Sequence, residues 1–137
     1  MRKDIALPKV ENIGIAIIKE LNDEKTADVF NVYLLNFGDK VLENVLVSSK
    51  GYGLNETSGE AVKTSVLRHA LGTVQPKSFA KIEPIIEAVF ALTNEYWLSY
   101  YIKKDIFDKK FIFLPESVRH SNFIDIPLID KKGVLIT

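Results

Sequence analysis

The sequence predicts an all-β protein, a two-sheet β-sandwich of about seven strands with one short helical turn near residues 84–92. Three observations carry this reading. Apolar residues alternate with a period of two, not the helical period, through most of the chain. β-Branched and aromatic residues fill the alternating runs. Clusters of Gly, Asn, Asp and Pro separate those runs at short intervals, as strand–turn–strand order demands.

The first run, Glu11 to Glu20, places Ile13, Ile15 and Ile17 on one face of a strand and Gly14, Ala16 and Ile18 on the other. The polar stretch Asn22-Asp23-Glu24-Lys25 reads as a loop, and Val29 to Asn36 as a second strand. Asn36-Phe37-Gly38-Asp39-Lys40 supplies turn chemistry before a third strand, Val41 to Ser49. Residues 51–59 hold three glycines and read as a loop. They are not a phosphate-cradling loop, because no Lys-Ser/Thr follows. Ala61 to Leu71 can be read two ways. Ser58 could cap a helix and Gly72 could end it, but Val62, Thr64 and Val66 alternate with polar residues and favour a strand. Pro76-Lys77-Ser78 turns into a short strand, Phe79 to Glu83, and Pro84 opens the helical turn that ends near Leu92. Glu95 to Lys103 and Lys109 to Leu114 form a hairpin around residues 104–108. Asn122 to Leu128 is extended, and Pro127 keeps it from a central position. Lys131-Lys132-Gly133 reads as a turn, and Val134-Leu135-Ile136 is an apolar end that should dock on its own sheet or on a partner.

The 137 residues suit one domain, with a core over 29–114 and an extended C-terminal tail over 115–137. There is no cysteine, so thiol nucleophiles, disulfides and Cys-ligated zinc are excluded. Asp4, Pro8, Lys9 and Glu11 interrupt what would be the apolar part of a signal peptide after Met1-Arg2-Lys3, which points to a cytoplasmic protein with no membrane span. Basic and acidic side chains balance at eighteen each. Residues 1–60 carry seven basic and ten acidic groups, and residues 61–137 carry eleven and eight. A nucleic-acid binder would show a clear basic excess, so nucleic acid is not the expected partner.

Few residues offer chemistry. The two histidines each follow an arginine, as Arg68-His69 and Arg119-His120, and arginine is a fixed cation suited to oxyanions. On a strand, adjacent side chains point to opposite faces, so Arg68 and His69 cannot share one pocket without a bulge. His69 shares the parity of Leu67 and Leu71 and reads as a half-buried, satisfied histidine. No Gly-x-Ser-x-Gly elbow accompanies them, and neither histidine sits in a His-x-Ser/Thr pair. Asp125 or Asp130 with the two histidines, or Asp23, Glu24 and Asp28 in one loop, match no metal-site spacing. The sequence therefore offers no catalytic set, no metal site and no cofactor motif. The run Tyr96 to Lys103 is more informative. Tyr96, Leu98, Tyr100 and Ile102 share one face, and Trp97, Ser99, Tyr101 and Lys103 the other. One set should face the core. The other is then either a contact surface or covered by the tail from Phe123 to Ile136.

Val32 to Asp39 followed by Leu42-Glu43-Asn44-Val45-Leu46-Val47 resembles the second and third strands of immunoglobulin-like and fibronectin-like modules. Val74 to Ile82 is similar to their Pro-Gly-Ser turn and following strand, with Lys77 in place of the glycine. Tyr96-Trp97-Leu98-Ser99-Tyr100 resembles their penultimate strand, without the usual Leu-x-Pro lead-in. This resemblance spans residues 29–114 and implies an immunoglobulin-like sandwich. The whole chain also resembles a family of short, uncharacterised bacterial proteins, some named phenylalanyl-tRNA synthetase alpha subunit. The residues that carry it are Leu7 to Asn12, Ser65 to His69, Lys77 to Glu83 and Gly133-Val134-Leu135. That name implies an RNA-associated accessory role. The three arginines leave no place for the arginine-bearing motifs of a synthetase core.

These readings converge on a non-catalytic protein- or ligand-binding module. Trp97, Tyr101, Lys103, Arg119 and His120 are its candidate contact residues, and a protein partner or a second copy meets the aromatic strand face or the tail. Two alternatives stay open. One is a small enzyme using His69 and His120 with an arginine anion site, which needs the imidazoles close together. The other is an RNA-associated accessory protein, which needs Lys63, Arg68, Lys77, Lys81, Lys103 and Lys110 on one face.

Overall fold

A computed structural model describes residues 9–55 and 57–137. The N-terminal reading built on Met1–Lys3, Asp4 and Pro8, the Leu7-Pro8 part of the family resemblance, and Glu56 lie outside the described residues.

The chain is a β-sandwich of two antiparallel sheets. Ten strands form among the described residues, three more than the sequence suggests: β1 (Ile13–Leu21), β2 (Asp28–Asn36), β3 (Leu42–Leu54), β4 (Ala61–Lys63), β5 (Leu67–Val74), β6 (Ser78–Ile85), β7 (Thr93–Ile102), β8 (Asp105–Phe113), β9 (Ile124–Ile126) and β10 (Lys131–Ile136). The first sheet runs β6-β2-β1-β10-β9. The second runs β3-β7-β8, with β4 and β5 both on the outer edge of β3. Setting β1, β2 and β6 against β3, β7 and β8 is the wiring of an immunoglobulin-like sandwich, to which β10 and β9 are added beyond β1.

The extra strands have local causes. Residues 51–54 continue β3 and do not loop out. Gly51 and Gly53 make room for neighbours there: a Cβ on Gly53 would stand 3.1 Å from Leu92 Cδ2. Residues 61–74 form two strands, not one, broken where the Thr64 hydroxyl accepts from the Gly51 N–H at 2.8 Å. The helical turn is a 3-10 turn over Glu87–Ala91. The β7–β8 connection is shorter than the five residues expected, a two-residue turn at Lys103-Lys104 with Lys103 at a φ of 56°.

The largest correction concerns residues 115–137. The sequence suggests a tail, but its last strand pairs antiparallel with β1, from Ile15↔Ile136 to Ile18↔Gly133, and β9 pairs with β10. Lys131-Lys132-Gly133 is therefore strand and not turn. The turn lies before it, where Leu128 and Asp130 adopt positive φ. With this strand in place β1 is paired on both edges and buried on both faces.

Two cores result. Between the sheets, Ile13, Ile15, Ile17, Val32 and Leu34 meet Val45, Val47, Tyr96, Leu98, Tyr100 and Phe111. On the outer face of the first sheet, Ala16, Ile18 and Leu35 are roofed by Ile126 and Ile129 from the C-terminal segment. Among the described residues, the outer face of the second sheet carries no such roof.

Candidate functional site

Parity along β7 decides what the second sheet shows to solvent. Tyr96, Leu98 and Tyr100 are within 1% of full burial, whereas Trp97 is 48% exposed and Tyr101 37%. The ladders place the neighbours of these two. Trp97 lies between Ser48 of β3 and Lys110 of β8, and Ser48 in turn lies beside Arg68 of β5. Ser99 lies between Leu46 and Asp108, with Ala70 beyond Leu46. Tyr101 lies between Glu43 and Ile106. Leu46 and Ile106 are more than half exposed. A hollow of about 410 Å³ opens among Leu46, Arg68 and Trp97, over the small side chains Ser48, Ala70 and Ser99. Lys110 Nζ sits 4.9 Å from the centre of the indole ring, a cation–π contact that holds the ring in place. Behind it the largely buried Glu95 accepts from Tyr52 and lies within 4 Å of both Lys50 and Lys110.

The other contact candidates separate from this face. Lys103 sits in the β7–β8 turn at the end of the face nearest Tyr101. Arg119 and His120 belong to the β8–β9 connection. The Arg119 Nε donates to the Glu116 carbonyl at 2.7 Å. His120 rests 4.8 Å from the Phe123 ring and reaches Lys19 of β1 at 3.3 Å.

His69 and His120 border different clefts: His69 the hollow beside Trp97, and His120 a second one with Lys19, Asp28 and Phe123. Each lysine of that second cleft has a carboxylate partner: Lys19 with Asp28, Lys131 with Glu20, Lys132 with Asp125. The six cations of the RNA reading are also divided. Arg68 and Lys110 lie on the outer face of the second sheet, whereas Lys81 pairs with Tyr33 in the first sheet and Lys77 caps the Phe37 carbonyl.

A polar cluster that the sequence does not reveal lies between the sheets at the β5–β6 side. Glu83 of β6 accepts from Ser49 of β3 at 2.8 Å and from Tyr96 of β7 at 2.9 Å, and pairs with His69 Nε2 of β5 at 2.7 Å. Burial first, and then the Glu83 charge, push the Tyr96 phenol far up, so it stays a donor. Serine and imidazole hang from the same carboxylate oxygen. A hydrolytic relay instead needs carboxylate, imidazole and hydroxyl in series. The cluster is built as a tie, since Glu83 belongs to the first sheet and all three partners to the second. Strict alternation hides it. Ile82 has no partner in the β2–β6 ladder, and this bulge puts Glu83 opposite the core residue Val32. The bulged Ile82 is itself buried, so no polar–apolar alternation marks the spot.

A second carboxylate stitches the first sheet. Glu20 of β1, 7% exposed at its side chain, accepts from Asn31 at 2.7 Å, from Tyr33 at 2.6 Å and from Lys131 of β10. Burial by itself raises this carboxyl, but the hydrogen bonds from Lys131, Tyr33 and Asn31 outweigh it, and the group titrates below its ordinary value of 4.5. Folding thus lowers this pKa. The stabilisation is complete above the unfolded value and disappears as pH falls through the folded one. Glu20→Gln is expected to cost about 1–3 kcal/mol at neutral pH. Urea unfolding should show the gap between variant and wild type closing as pH drops below the carboxylate range. A gap that stays constant down to acid pH would show that the charge of Glu20 is not what stabilises.

Among the described residues no group of three or more His, Asp or Glu side chains is placed to hold a metal ion. None of their helices is long and apolar enough to cross a membrane. No protein-family model, curated protein or solved structure matches the chain, so the reading of its function rests on the geometry of these faces.

Proposed function

We propose that this protein is a non-catalytic binding module that engages a partner through the outer face of the β5-β3-β7-β8 sheet, with Trp97 and Tyr101 as anchors. One observation carries the reading: the two sheets differ in what covers them. The C-terminal segment roofs the first sheet with Ile126 and Ile129, whereas Leu46, Trp97, Tyr101 and Ile106 of the second sheet stand open. Exposed aromatic side chains on the central strand, with exposed Leu46 and Ile106 beside them and charged residues interleaved, have the composition of a contact surface. Aromatic side chains with few rotatable bonds lose little entropy on contact, which suits them as anchors.

The test is capture from native extract with immobilised protein, comparing wild type with Trp97→Ala/Tyr101→Ala. Both side chains are half exposed, so the double variant should keep its stability within about 1 kcal/mol of wild type. The expected result is a partner recovered with wild type and lost with the variant. Identical recovery from the two proteins would refute the reading.

A further inference from the structure

The open face of the second sheet is complementary to itself, and we propose that its occupant is a second copy of this chain, packed face to face about a two-fold axis. This rests on the reading of that face as a contact surface and names the partner.

Two identical sheet faces can pack about an axis lying in the plane between them and running across the strands. Such an axis reverses each strand's direction and lays β7 of one copy over β7 of the other, and likewise for β3 and β8. Residues at matched distances on either side of the axis then meet. The ladder registers give four levels across the face. The first holds Lys50, Glu95 and Ile112, the second Ser48, Trp97 and Lys110, the third Leu46, Ser99 and Asp108, and the fourth Glu43, Tyr101 and Ile106.

An axis between the second and third levels exchanges the second with the third and the first with the fourth. Every resulting pair is compatible. Trp97 of one copy comes over Ser99 of the other, where the hollow lies. Leu46, 52% exposed, comes over Ser48, so each bulky side chain meets a small one. Ile112 meets Ile106. Lys110 meets Asp108, Lys50 meets Glu43, and the Tyr101 hydroxyl meets Glu95. Because the axis doubles each contact, one complementary register yields two copies of every ion pair. Moving the axis by half a level onto Trp97 would set Lys110 against Lys110 and Trp97 against Trp97, which costs both charge and space. Arg68 falls over Ala70 and stays at the rim. Lys103 and Lys104 lie in the turn beyond the fourth level.

Sedimentation across roughly 1–500 μM tests the proposal. Wild type is expected to pass from monomer to dimer within that range. Its single tryptophan is Trp97, so the emission maximum should move to shorter wavelength as the dimer forms. Asp108→Lys brings two ammonium groups together at each of the paired contacts, and Lys110→Glu brings two carboxylates together there. Each variant alone should dimerise roughly 100-fold more weakly. Mixed in equal amounts, the two variants can form a heterodimer. In it the introduced lysine of one copy faces the introduced glutamate of the other, and the unchanged Lys110 faces the unchanged Asp108, so both contacts are opposite-charge pairs and the mixture should associate more tightly than either component. Ser99→Arg fills the hollow and leaves both Trp97 and Lys110 unsubstituted, and it should also abolish dimerisation, which guards against a folding defect in Lys110→Glu. A wild type that stays monomeric, or a mixture no tighter than its components, overturns the proposal. If wild type is monomeric yet captures a partner that Trp97→Ala/Tyr101→Ala loses, self-association falls and the binding-face reading stands. If neither occurs, both fall.

Discussion

Gly133→Ala should remove at least about 3 kcal/mol of stability, far more than an alanine costs at an ordinary strand glycine. Gly133 sits in β10 opposite Ile18 of β1, and a Cβ there would lie 2.2 Å from the Ile17 carbonyl oxygen. That oxygen is backbone and cannot swing away. Relief requires β10 to retreat by about 1 Å, and an N–H···O bond of ordinary length does not survive that. The damage then spreads. The β1–β10 ladder carries the segment whose Ile126 and Ile129 roof Ala16 and Ile18, so loosening it uncovers the second core. For a domain of this size the expected fall in melting temperature is roughly 10 °C. Gly38→Ala is the control, because the nearest atom to its Cβ is at an ordinary 3.4 Å. If the two variants melt together, close approach at Gly133 is not what fixes β10.

Glu83→Ala is expected to cost about 3–4 kcal/mol, and the cost should come mainly from the partners it strands. Tyr96 is 1% exposed and Ser49 5%, so each hydroxyl loses its acceptor at a largely buried position. His69, with a quarter of its side chain exposed, can rehydrate and adds less. Tyr96→Phe deletes one donor and leaves Ser49 and His69 on the carboxylate, and should cost about 1 kcal/mol. Urea unfolding of the two variants separates the possibilities. An inter-sheet tie centred on Glu83 requires the alanine variant to be much the worse. Equal losses would mean that only the Tyr96 contact matters.

The alternation of Ile13, Ile15 and Ile17 with Gly14, Ala16 and Ile18 is enough to place both faces of β1, and Tyr96-Trp97-Leu98 is enough to separate the core side of β7 from the solvent side. Period-two patterning registers each strand's own faces. It says nothing about which strand lies alongside, so the sequence does not show that Lys131 to Ile136 joins β1. Gly133 shows the same limit. A glycine between lysines and valine has the local signature of a turn, and only the neighbouring Ile17 carbonyl turns it into a packing requirement. Glu83 is hidden for a different reason. A bulge shifts parity by one residue, and Lys81-Ile82-Glu83 carries no local mark of it. His69 is legible as a half-buried, satisfied histidine, but its partner is not, because the carboxylate comes from the opposite sheet.

The pairing of β1 with β10 also sets an order of events during synthesis. The native partner of one edge of β1, the strand β2, follows it directly in the chain, but the partner of its other edge, residues 133–136, comes more than a hundred positions later. Until then an apolar strand edge and the bare outer side of Ala16 and Ile18 are exposed together, the combination most prone to wrong association. The half-made chain therefore depends on speed or on protection, and the strand made early is completed by residues that emerge long after it.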